Sequence, residues 1–210
     1  MKVAVMKDSL KEALGVTERI ATKSLSLPIL SNVFLSIKKN TISLSATDLQ
    51  MGVVYEFVGD SKQDGQVVFP AKLLHPLLSV VSEQQVTLET EDQHLIVLSG
   101  GYKASINTVD SDDFPIIPTL KGDEQYIEVE GSVLCRGLNQ VVGMVGQSQA
   151  RPEISGVLFM FEKEVLKIVA TDSFRLAEKK VKHKGGEKDV SLLIPFRNVN
   201  EIMRTFNDVS

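Results

Sequence analysis

Apolar positions recur along the chain at two spacings. Leu10, Leu14, Thr17 and Ala21 repeat every three or four residues, which puts them on one side of a helix. Leu134, Leu138, Val141 and Val145 repeat the pattern, and Val199, Ile202, Met203 and Phe206 form a third stripe. Short apolar or alternating runs at 33–46, 86–89, 95–98 and 103–108 predict strands. A turn at Lys38-Lys39-Asn40 splits the first run into a strand pair. Asp8 and Ser132 stand where helix N-caps are expected. Pro70 and Pro195 each follow an apolar run and precede a helical pattern, which predicts a strand and then proline at the first helical position. Pro76 falls inside the helix after Pro70 and is expected to kink it.

These elements repeat. Residues 27–54 align with residues 151–178 at an offset of 124 without a gap. Seven of the 28 pairs are identical, among them Pro28/Pro152, Ala46/Ala170, Thr47/Thr171 and Asp48/Asp172, where chance gives about 2. Each copy reads as strand, helix, paired strands around a turn, strand, helix. The first copy continues with three further strands. An acidic stretch, Asp110-Ser111-Asp112-Asp113-Phe114-Pro115, follows them. A boundary is predicted near 115–124, giving one domain at 1–122 and a second at 123–210 that opens with a strand at Gln125–Val129. The second copy stops at Ser210, which matches Gln85 of the first. The expectation is an incomplete second domain, either because the chain is part of a longer one or because something else covers the open sheet edge.

Composition narrows the class. The chain is 43% hydrophobic and 24% charged with a net charge of −4, as for an ordinary globular protein. A single cysteine, Cys135, excludes an intramolecular disulfide and a cysteine-rich zinc site; it reads as a small buried side chain. The opening MKVAVMKDSL lacks the long apolar core of a signal peptide, and no apolar run approaches a bilayer span. A location inside the cell and no membrane partner are expected. His75, His94 and His183 are scattered, and Asp110, Asp112 and Asp113 lack the spacing of a calcium loop, so no metal is expected. Asp48 and Asp172 could be taken for a catalytic pair. Their recurrence at one place in both copies favours instead a turn that holds the strand end. No nucleophile–base pair accompanies them, so no catalytic residue is predicted.

LPIL at 27–30, SATDL at 45–49, DDFP at 112–115 and RPEISGVLF with VATDSFRLA in the second copy resemble the bacterial DNA polymerase III beta subunit family, the sliding clamps. The resemblance covers the whole chain. It implies an α+β fold, the DNA-clamp fold, with repeated domains each having two helices packed on antiparallel sheets. It implies a non-catalytic accessory subunit without a cofactor, in the bacterial cytoplasm and at the nucleoid. Family members have three such domains, and the third is absent here. Two protomers close head to tail into a ring around double-stranded DNA, using in this numbering an edge near the 69–81 helix and the 102–109 strand. The ring tethers the DNA polymerase III alpha subunit, the clamp loader and other proteins that carry a clamp-binding motif. A ring is not expected for this chain as it stands, and its hold on such motifs is expected to be weaker than a complete clamp's. The alternative within the same fold is a short homologue that occupies partners without forming rings.

Two sets of residues carry the family's contacts. The outer face of the first helix holds Lys7, Lys11, Arg19 and Lys23 against Glu12 and Glu18, a mildly basic strip in an acidic chain. With Ser24, Lys72, Arg136, Arg151, Arg197 and Arg204, the residues Lys7, Lys11 and Lys23 are the expected DNA contacts. Ser24 departs from the arginine common in the family. The expected peptide groove comprises Ile154, Thr171, Ser173, Phe174, Arg175 and Leu176, with apolar walls for leucine and phenylalanine anchors. Ser173-Phe174 stands where relatives commonly have Gly-His, which makes this groove more apolar.

Overall fold

The computed structural model describes residues 1–21, 24, 26–118, 126–146, 148, 150–184 and 189–207. The chain folds as two units, Met1–Pro118 and Thr119–Ser210.

In unit 1, β1 (Lys2–Met6) runs directly into α1 (Lys7–Ile20). A 3-10 turn, Pro28–Ser31, then leads to β2 (Val33–Lys38), β3 (Thr41–Thr47), β4 (Gly52–Val58), β5 (Asp60–Gln63) and β6 (Gly65–Phe69). α2 (Ala71–Val80), β7 (Gln85–Glu91), β8 (His94–Ser99) and β9 (Tyr102–Asn107) complete it. The strands form two antiparallel sheets, ordered β5-β1-β7-β8-β9 and β4-β3-β2-β6. Both helices lie against the core. The α1 stripe of Leu10, Ala13, Leu14 and Thr17 is completely buried. Thr17 tolerates this because its hydroxyl donates to the Ala13 carbonyl at 2.8 Å, so no polar group is left unpaired.

Unit 2 repeats one of these sheets. α3 (Gly131–Val141) is followed by 3-10 turns at Val142–Met144 and Pro152–Ile154. Then come β10 (Gly156–Glu162), β11 (Val165–Thr171), β12 (Leu176–Lys182), β13 (Val190–Pro195) and α4 (Phe196–Asn207). The sheet order β12-β11-β10-β13 matches β4-β3-β2-β6. The registers match as well. Lys38 pairs with Thr41 as Glu162 pairs with Val165, Phe34 with Val68 as Leu158 with Leu193, and Thr47 with Gly52 as Thr171 with Leu176. Both hairpins turn on a lysine with positive φ, Lys39 at 55° and Lys163 at 37°. The core of unit 2 is built from Leu138, Val141, Val157, Phe159, Ile168 and Val199, among others.

Several expectations change. Met6 and Glu130, not Asp8 and Ser132, hold the N-cap positions, without a side-chain cap. Asp8 sits in the first turn of α1, where its charge still complements the helix dipole, and the Ser132 hydroxyl donates to the Glu130 carboxylate. Pro70 is the N-cap of α2 and Pro195 ends β13, each one place before the helix. Pro76 lies inside α2, which continues to Val80. The strand expected at Gln125–Val129 begins outside the described residues. Within them only Glu128 pairs, exchanging backbone hydrogen bonds of 2.8 and 3.0 Å with Lys184. That bridge is the counterpart of Ala4 with Asp60 in the β1–β5 ladder. The acidic stretch is docked onto unit 1: the Val109 amide donates to the Val68 carbonyl and the Phe114 ring stacks on Phe34.

Candidate DNA-facing helices and peptide groove

The helices of each unit bury one stripe and turn the opposite one outward. On α1, Lys11 is exposed, but Lys7 is half-buried and its ammonium donates to the Val81 carbonyl at 3.1 Å. Val81 is the C-cap of α2, so Lys7 neutralises the negative end of that helix instead of projecting freely. One carboxylate of the strip is also engaged: Glu18 meets His75 Nδ1 on α2 at 2.8 Å. Near Glu12, the Tyr55 phenol of β4 is pushed above its ordinary value, by burial first and then by this carboxylate. Lys72 is exposed in the first turn of α2. Ser24 closes the loop before Pro28, accepting from the Leu27 amide at 3.1 Å. Lys23 lies outside the described residues.

In unit 2, Arg136 on α3, Arg197 and Arg204 on α4, and Arg151 before the Pro152 turn are all exposed. The Arg204 guanidinium is paired with Glu201, one turn back, at 2.9 Å.

Five of the six groove residues, Thr171 and Ser173 to Leu176, come together on the turn between β11 and β12. Thr171 ends β11. Its hydroxyl donates to the Arg175 carbonyl at 2.8 Å and accepts from the Ser173 amide at 3.1 Å. Asp172 Oδ1 accepts from the amides of Phe174 and Arg175, both at 3.0 Å. Its Oδ2 accepts from Arg175 Nε at 2.9 Å. Arg175, together with those amides, holds the Asp172 carboxyl below the usual range. Arg175 also reaches the Gly143 carbonyl through Nη2 at 3.3 Å, which ties the turn to the end of α3. On the other side of that segment, the Gly146 amide donates to the Ile154 carbonyl at 2.9 Å. Segment 143–146 therefore joins Ile154 to the turn. A β-carbon on Gly146 would lie 3.0 Å from Ile154 Cδ1, so a larger residue would push the groove wall. Gly143 and Gly146 were not singled out from sequence; their only signal is two glycines flanking Val145 at the end of a helical stripe.

The turn projects its apolar side chains. Phe174 is 97% exposed and Leu176 is 64% exposed. Unit 1 repeats the framework at Thr47-Asp48: Asp48 Oδ1 accepts from Gln50 and Met51 amides, and the Thr47 hydroxyl donates to the Met51 carbonyl. The recurring aspartates thus hold turns, as the repeat implied.

A second apolar feature lies at the edge of unit 1. Pro76, Leu77, Val80 and Val81 of the α2 end face Val97, Tyr102 and Ala104 of β8 and β9 across a groove of about 440 Å³. Among the described residues, no helix is long and apolar enough to cross a membrane, and no cluster of three metal-ligating side chains occurs.

Two family models match. The N-terminal domain of the DNA polymerase III beta subunit matches residues 1–118, and the central domain of the same subunit matches residues 128–210. The beta sliding clamp of Helicobacter pylori is 26% identical over 212 residues, covering 98% of this chain and 56% of that protein. The chain therefore spans little more than half the length of such relatives. A Bacillus subtilis DNA polymerase sliding clamp structure superimposes with a TM-score of 0.91 at 23% identity, covering 97% of this chain and 56% of that one. The Helicobacter pylori beta clamp bound to a DNA ligase peptide superimposes at 0.86 with 24% identity, covering 97% and 58%.

Proposed function

Because this chain belongs to the DNA polymerase III beta subunit family, the beta sliding clamps, we propose that it serves as a DNA polymerase processivity factor. It contributes two of the repeated units of a ring that encircles duplex DNA and holds polymerase and other replication and repair proteins to it. The observation that carries this reading is the repeat: in both units a helix pair packs on an antiparallel sheet and turns cationic residues outward. Lys11, Lys72, Arg136, Arg151, Arg197 and Arg204 are the DNA contacts in this reading, with Lys23 and Ser24 in the adjoining loop. They meet phosphates and read no bases, so the ring can slide. Lys7 acts indirectly, by fixing the end of α2.

The turn at Thr171–Leu176, with Ile154, forms one wall of a groove for a short peptide with apolar anchors. Phe174 and Leu176 pack against the anchors, and Arg175, held by Asp172, aligns with the peptide backbone. The relative that binds a DNA ligase peptide supports this use, and the polymerase alpha subunit and the clamp loader are proposed occupants of the same groove. The apolar groove between α2 and β8–β9 is the proposed head-to-tail assembly edge. No chemical step is assigned to any residue.

Titration of labelled duplexes of unrelated sequence tests the reading. Binding is expected to be equal across sequences and to weaken steeply as salt is raised. Affinity that depends on base sequence would refute it.

A further inference from the structure

α1 and α3 occupy the same place in the two units, but the strand beside each presents a different side chain to it. The pairing registers match Tyr55 of β4 with Lys179 of β12, since Leu44 pairs with Tyr55 as Ile168 pairs with Lys179. The helix positions match at the offset of 124, Glu12 with Arg136 and Ala13 with Gly137. Ala13 and Gly137 are buried, and their neighbours Glu12 and Arg136 are exposed. In unit 1 the strand side chain senses the helix side chain: after burial, the Glu12 carboxylate is what raises the Tyr55 phenol. In unit 2 the phenol is replaced by an ammonium and the carboxylate by a guanidinium.

Packing carries Lys179 to that helix. Burial alternates along β12, with Ala177, Lys179 and Val181 on the face that α3 covers and Glu178, Lys180 and Lys182 on the other. A β-carbon on Gly137 would lie 3.1 Å from Ile168 Cδ1, 3.2 Å from Val181 Cγ2 and 3.5 Å from Lys179 Cγ. The glycine therefore lets α3 approach β11 and β12 closely and leaves the lysine stem lying across the helix, one residue from Arg136. Lys179 is half-buried, as suits a lysine that lays its methylenes on apolar surface and keeps its ammonium in water. Among the described residues, no carboxylate pairs with Lys179 or Arg136. The ion pairs along these strands, Lys167 with Glu162 and Lys180 with Glu178, lie on the opposite face of the sheet. Two cations presented side by side without an anion favour the binding of one.

We propose that Lys179 is a further phosphate contact, reaching from β12 across Gly137 to join Arg136 on the outward side of α3. The inference rests on the reading of the chain as a DNA-binding clamp and adds to the helix-borne cations one that a strand supplies. It also makes the two units unequal. At this position unit 2 offers two positive groups to the phosphate backbone of a duplex, where unit 1 offers a phenol and a carboxylate. Lys179 contributes charge and no base readout, so it strengthens the hold on every sequence alike. Lys180, the next residue, points to the opposite face and takes no part.

Salt titrations of labelled duplexes with the full chain, followed by fluorescence anisotropy, test this. Lys179→Met keeps a stem of similar length over Gly137 and removes the charge. Its thermal unfolding should be unchanged, while the fall of log affinity with log salt becomes shallower by about 0.9, the share of one phosphate contact. Lys179→Arg should retain the original slope. Lys180→Met removes the same charge from the other face of the same strand and should leave the slope as it was. An unchanged slope for Lys179→Met would overturn the proposal. So would an equal change for Lys180→Met, because net charge alone would then account for both. If Arg136→Ala lowers the slope and Lys179→Met does not, the strand contact is lost and the clamp reading stands. If the unmodified chain shows no salt-sensitive binding to duplexes of unrelated sequence, both fall together.

Discussion

Ser173 and Leu49 hold matching turns with φ of 78° and 71°, a region in which a side chain with a β-carbon is strained by about 1–3 kcal/mol. Glycine relieves that strain but gives up some of the gain through its freer unfolded state. Ser173→Gly is therefore expected to stabilise the chain by up to about 1 kcal/mol, measured by urea unfolding; a lower midpoint would show that the serine is not strained. The residue before it sets a pH limit on the groove. Arg175 and the amides of Phe174 and Arg175 hold the Asp172 carboxyl below its ordinary value of 3.8. A carboxyl depressed by folding contributes its full stabilisation above the ordinary value and loses it as the pH falls through the folded value. The Phe174 and Arg175 amide resonances should accordingly titrate together with a midpoint under 3.8. A midpoint at or above that value would mean that the hydrogen bonds to Asp172 do not form in solution.

Strand pairing depends on close approach, and at Gly156 β10 leaves no room for a side chain. A β-carbon there would lie 2.4 Å from the Ile194 carbonyl oxygen, a backbone atom that cannot move without parting β10 from β13. Gly156→Ala is expected to destabilise unit 2 by about 1–3 kcal/mol, seen as a lower midpoint for the loss of its amide protection; an unchanged midpoint would place the two strands further apart. Elements of this kind were legible in unequal measure. The hairpins at 33–46 and 156–171 were visible because each β10 and β11 residue has a counterpart at a constant offset and because the inward positions are apolar. β4 and β12 were not anticipated. β12 reads Leu176-Ala177-Glu178-Lys179-Lys180-Val181-Lys182 and buries only Val181 fully. Its strand state comes from seven backbone pairings with β11, not from its own apolar pattern. The strand expected at the start of unit 2 reduces, in the described part, to the single Glu128–Lys184 bridge, because in unit 1 the corresponding β1 is held between β5 and β7. The groove residues were legible as a string, but the tie from Arg175 to the Gly143 carbonyl spans 32 positions and left no mark in any local pattern.

At the scale of the whole molecule, a net charge of −4 opposes DNA binding unless cations are set apart from anions. On α1 part of this is done by engagement: Glu18 is tied to His75 at 2.8 Å, while Lys11 on the same helix stays exposed. Each cation that meets a phosphate releases about one counterion, so the logarithm of affinity falls against the logarithm of salt by about 0.9 per contact. Arg136→Ala should lower that slope by about one, with equal loss on every duplex sequence. Arg204→Ala should lower it less, because its guanidinium is already paired with Glu201 at 2.9 Å and gives up part of its interaction with phosphate. Lys7→Ala should leave the slope nearly unchanged and lower stability instead, since its ammonium serves the Val81 carbonyl. Salt titrations of the three variants by fluorescence anisotropy separate these outcomes. Equal slopes for Arg136→Ala and the unmodified chain would remove α3 from the DNA-facing set, and a Lys7→Ala slope lowered by a full unit would return Lys7 to it.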